Sequence, residues 1–81
     1  MHPITKDSES FIEFLSKELM ISINKVNLSI KFRELDNWSS LNALILISRI
    51  NEETGVIISA SDLSNLITVD DLFKFINKVN K

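Results

Sequence analysis

The sequence predicts an all-α fold: a single domain of four helices with a long first connection and a short third helix. Three observations predict it. Apolar residues recur at helical spacing near both ends of the 81-residue chain, Ser, Thr and Asp stand where helices should begin, and no strand pattern is strong enough to challenge an all-α reading.

The first helix is expected from Asp7 to Met20. Phe11, Phe14, Leu15 and Leu19 fall at i, i+3, i+4 and i+8 and so share one face, and Asp7 or Ser8 can cap it. Residues 1–6 read as a frayed terminus, and the single His, His2, lies there beside Pro3, so no chemistry is assigned to it. From Ser22 to Trp38 the apolar residues Ile23, Val26, Leu28, Ile30, Phe32 and Leu35, with mixed polar residues between them, have neither a clean helical nor a clean strand period. A connection this long in so small a domain should be pinned by its own side chains, with Phe32 and Leu35 as anchors.

The second helix should start at Ser39 or Ser40, since Ser is a favoured cap, and run to about Thr54, where the only Gly, Gly55, supplies a C-terminal stop. Val56 to Ile58 is then a short apolar link. Ser59 or Ser61 caps a helix of one or two turns containing Leu63 and Leu66. Thr68, with Asp71 three residues on, has the spacing of a capping box, and Val69, Leu72, Phe73, Ile76 and Val79 form the stripe of the last helix.

Composition narrows the function. Apolar residues make up 44% and charged residues 25%, a globular balance. A net charge of −2 leaves no excess of cations to neutralise a phosphate backbone, so nucleic acid is not an expected partner. The longest apolar run, Ala43 to Ile47, is far below the roughly 20 residues that span a bilayer, so a cytoplasmic monomer without a membrane span is expected. With no Cys there is neither a disulfide nor a thiolate metal site, and no metal is expected. No base, nucleophile and orienter set is evident, which argues against an enzyme.

The second helix is apolar nearly all round. At about 100° per residue, Ala43, Leu44, Ile47, Ile50 and Thr54 share a broad arc with Leu46 at its edge, which is the expected core face. Asn42, Ser48, Arg49, Glu52 and Glu53 lie opposite, together with Leu41 and Ile45. Either a neighbouring loop covers those two aliphatics, or they form an apolar spot open to partner proteins next to the helix's first Ser.

The segment from Phe32 to Ile76 resembles the acyl carrier protein family. Trp38-Ser39-Ser40-Leu41 stands where that family has Asp-Ser-Leu at the mouth of the second helix, and Phe32 lies eight residues before Ser40, as a similar Phe commonly does in carriers. Glu52-Glu53, Gly55-Val56, Ile58 and Thr68-Val69 also fall in family-like positions. The resemblance implies a four-helix acyl-carrier-like bundle whose Ser40 is esterified by 4′-phosphopantetheine derived from coenzyme A. The arm would hold acyl or related intermediates as thioesters for fatty acid, polyketide or related biosynthesis.

The implied partners are a phosphopantetheinyl transferase and acyl-loading and acyl-processing enzymes, with Leu41, Ile45, Ser48, Arg49 and Glu52 as docking residues. A helix N-terminus tolerates a phosphodiester well, because unpaired N–H groups and the positive end of the helix dipole face it. The alternative is that Ser39 and Ser40 act only as caps in an unmodified helical interaction domain.

The chain departs from the family in two places. Ser39 replaces the usual Asp, removing a carboxylate that modifying enzymes commonly contact, and Asp36 is in a different register and does not inherit its role. The second helix is also less acidic than in many carriers, which implies more apolar, less salt-sensitive docking and a specialised carrier serving its own enzymes.

Overall fold

The computed structural model describes residues 6–79, and His2 and most of the expected frayed terminus lie outside them. The described chain is all-helical: α1 Ser8–Leu19, α2 Ser40–Thr54, α3 Ala60–Ser64 and α4 Val69–Val79. None of these helices is long and apolar enough to cross a membrane.

Helix α1 begins where Asp7 turns its carboxylate onto the Ser10 N–H at 2.8 Å, and it ends as Met20 adopts a left-handed conformation (φ 57°). Its stripe of Phe11, Phe14, Leu15 and Leu19 is buried as its spacing requires. The long connection contains two short 3₁₀ turns, Ile23–Lys25 and Phe32–Glu34. Phe32 and Leu35 are buried and anchor it as expected, and Val26 is a third anchor.

The connection is also held by its backbone. The Ile30 and Leu28 carbonyls accept from the N–H groups of Val69 and Asp70, and the Phe32 N–H donates to the Ile67 carbonyl. Two of the four N–H groups that any helix start leaves unpaired are thereby satisfied at α4 by a loop distant in sequence. Thr68 and Asp71 complete that start as a capping box. The Thr68 hydroxyl accepts from the Asp71 N–H at 3.1 Å, and the Asp71 carboxylate accepts from the N–H groups of Thr68 and Ile67. Those backbone hydrogen bonds, Thr68 first, hold the Asp71 carboxyl below its ordinary range.

Helix α3 is closed by a second box, Ser59 with Asp62, and buries Leu63; Leu66 lies past its end and packs against the core from a half-buried position. Gly55 ends α2 at φ 78°, where an L side chain is strained even though nothing crowds the position.

The structure corrects the expected face of α2. Leu46, placed at the edge of the core arc, is at its centre together with Ile50 and Thr54, whereas Leu44 is 60% exposed and Ile47 only half-buried. The reason is the position of the neighbours. Glu18 of α1 pairs with Arg49 on one side of α2, while Ala43 and Ile47 face α3 on the other, so the residues between these two sides are the ones enclosed. In α4, Val69, Leu72 and Ile76 are buried and Phe73 half-buried, but Val79, the last residue of the expected stripe, is 50% exposed because the helix end runs past the core.

Candidate functional site

The mouth of α2 is built by three residues that precede it. Asn37 takes a left-handed conformation (φ 67°), which Asn tolerates better than most residues, and its side-chain amide donates to the Leu19 carbonyl at 2.8 Å. Its own carbonyl accepts from the Asn42 side chain. The start of α2 is thus referenced to the end of α1. Trp38 packs its ring on Phe32, with centroids 5.1 Å apart. Ser39 is the N-cap: its hydroxyl accepts from the Asn42 N–H at 3.1 Å and its carbonyl from the Ala43 N–H at 2.8 Å.

Because Ser39 does the capping, Ser40 is the first helical residue and is not needed for it. Ser40 is exposed, and among the described residues neither its hydroxyl nor the N–H groups of Ser40 and Leu41 have a hydrogen-bond partner. Beside it runs an open groove of about 490 Å³, walled by Trp38, Ala43, Leu44 and Ile47 on one side and Leu63 of α3 on the other. That volume is within the range of small-molecule sites.

The other singled-out residues lie along the outer face of α2. Leu41 is 67% and Ile45 45% exposed, so no loop covers them, and Leu44 joins them in an apolar strip. Ser48 and Glu52 are exposed on the same helix. Arg49 is half-buried, and its guanidinium donates to Glu52 at 2.6 Å, to Glu18 at 3.2 Å and to Glu53 at 3.4 Å. The hydrogen bonds to Glu52 and Glu18 hold it above its already high ordinary pKa, so Arg49 stays charged and ties α2 to α1. Asp36 pairs with Lys25 at 3.2 Å, consistent with its having no part at Ser40.

The family model described as the phosphopantetheine attachment site matches residues 9–76. The chain belongs to that family. Among the curated proteins no match is found. As a phosphopantetheine carrier it is not an enzyme: it bears the prosthetic arm covalently, and it works with a transferase and with acyl-processing enzymes.

The residues present fit the arm. A carrier needs an exposed hydroxyl that the fold does not use, with room around it and donors for a phosphodiester, and Ser40 offers all of these. The arm supplies a terminal thiol, the reactive atom that this Cys-free carrier lacks. What the chain contributes is position. Asn37 and Ser39 fix the helix start, and the free N–H groups and helix dipole lie beside the Ser40 hydroxyl, where they would favour a phosphodiester.

Sequence reasoning missed Asn37 and the groove wall formed by α3. The only sequence signal for Asn37 was an Asn in a Gly-free loop, at a point where the chain must reverse.

Replacing Ser39 tests the missing carboxylate. Asp is as good a cap as Ser, so Ser39→Asp should keep the fold while being loaded faster by a general transferase. Equal loading rates, measured by mass spectrometry over time, would show the departure to be irrelevant to recognition.

Proposed function

We propose that Ser40 carries the arm and that this carrier holds acyl or related intermediates for separate enzymes of fatty acid, polyketide or related biosynthesis. The observation that supports this most is the division of labour between the two serines: Ser39 caps α2 and leaves the Ser40 hydroxyl free. Residues 1–81 then make up one carrier domain, acting as a monomer in the cytoplasm.

Docking falls to the outer face of α2, with Leu41 and Ile45 as the apolar centre and Ser48, Arg49 and Glu52 as its rim. Arg49 is bonded to both Glu52 and Glu53 and offsets one of their two charges, so the face is only weakly acidic. Docking is therefore dominated by apolar contact and only modestly weakened by salt, in keeping with a specialised carrier that serves its own enzymes. The expected result is that Ile45→Ala still accepts the arm yet passes cargo to its cognate enzymes less well. Unaltered transfer by the loaded variant, or a steep loss with salt in the wild type, would contradict this assignment.

A further inference from the structure

Helix α3 has only five residues, too few to hold its place by its own hydrogen bonds. Its start is closed by Ser59 and Asp62, and Leu63 reaches the core. Its end is held from outside. Arg33, on the second 3₁₀ turn of the long connection, donates from one terminal nitrogen to the Leu63 carbonyl at 2.7 Å and from the other to the Leu66 carbonyl at 2.8 Å. The guanidinium lies 4.8 Å from the centroid of Phe32, and Phe32 packs on Trp38, two residues before Ser40. Arg33 and Leu63 both line the groove beside Ser40, across from Ala43, Leu44 and Ile47 of α2.

We propose that Arg33 is a positioning residue: by clamping the carbonyls of Leu63 and Leu66 it fixes α3 as the groove's movable wall and so sets how far the groove beside Ser40 opens. The consequence for cargo rests on the reading that Ser40 carries the arm. The clamp itself does not. A guanidinium is suited to this, since its planar fork can reach two carbonyls at once, whereas a Lys ammonium is a point donor on a flexible stem. Without the fork, the partly buried Leu63 carbonyl keeps only its bond from the Leu66 N–H, the Leu66 carbonyl loses its side-chain donor, and α3 is left attached through the side chains of Leu63 and Leu66. The wall opposite cannot yield in the same way, because α2 is held by Leu46, Ile50 and the Arg49 ion pairs. Trp38 is the only Trp in the chain and lines the same groove, so its fluorescence reports on the groove directly.

The test uses Arg33→Met, which keeps an apolar stem without donors, and Arg33→Lys. In the unloaded protein, amide hydrogen exchange at Leu63, Asn65 and Leu66 should rise by about tenfold or more in Arg33→Met, with a smaller rise in Arg33→Lys, while the core amides of α1 and α4 keep wild-type rates. In protein loaded from octanoyl-coenzyme A, the change in Trp38 emission that the acyl group produces in the wild type should be lost in Arg33→Met. The proposal is overturned if α3 exchange is unchanged, if it rises equally in every helix, or if the Trp38 response survives a loosened α3. If the wild type accepts no acyl arm, it is the assignment of Ser40 that fails, and the exchange comparison still decides whether Arg33 is the clamp.

Discussion

Leu46→Ala should remove about 2–5 kcal/mol of folding stability, whereas Leu41→Ala, on the same helix, should change it by no more than about 0.5 kcal/mol. Leu46 is 1% exposed and enclosed between the α1 and α3 sides of α2, so truncation leaves a cavity that the surrounding side chains fill only in part. Leu41 is 67% exposed and loses little. Ile45, at 45%, should fall near Leu41, and half-buried Ile47 between the two groups. Small domains hold only a few kcal/mol in reserve, so the Leu46 variant should show a plainly lowered urea midpoint at unchanged slope. Similar losses for Leu46→Ala and Ile45→Ala would mean that α2 is rotated from the orientation described here, and that the outer apolar strip is core rather than a docking surface.

The second large effect is chemical. Ser40→Ala should abolish loading by coenzyme A and a phosphopantetheinyl transferase, while leaving stability close to wild type because Ser40 does no capping. Ser39→Ala should show the reverse pattern: it loses the cap on the Asn42 N–H, costing about 1 kcal/mol, but keeps the nucleophilic hydroxyl and is still loaded. The two alanine variants thus separate a structural serine from a modified one by two independent readouts, a denaturation curve and an intact mass. Loading of Ser40→Ala would contradict the assignment outright.

Much of this architecture was legible in the sequence because the informative residues act locally. The stripes Phe11, Phe14, Leu15, Leu19 and Val69, Leu72, Ile76 mark amphipathic helices with one neighbouring core. The Thr68 and Asp71 box and Gly55 fix their helix ends through contacts a few residues apart. Helix α2 was harder for a physical reason. With apolar residues on nearly every side, a helical wheel has no clear centre, and what picks out Leu46 over Leu44 is where α1 and α3 lie, which depends on the whole fold.

The site divides in the same way. Ser40 is singled out in the sequence by its place before Leu41 in a family-like pattern, but which of Ser39 and Ser40 caps the helix rests on the geometry of the Asn42 N–H. Asn37 and Arg33 gave almost no signal, since each acts on backbone carbonyls distant in sequence, those of Leu19, Leu63 and Leu66, and any residue type can supply a carbonyl.

The most direct measurement is peptide mapping of the wild-type protein after incubation with coenzyme A and a phosphopantetheinyl transferase. The expected result is an intact mass raised by one phosphopantetheine, with fragment ions placing the whole increment on Ser40. An arm found on Ser39, or an intact mass unchanged with several transferases, would contradict the account.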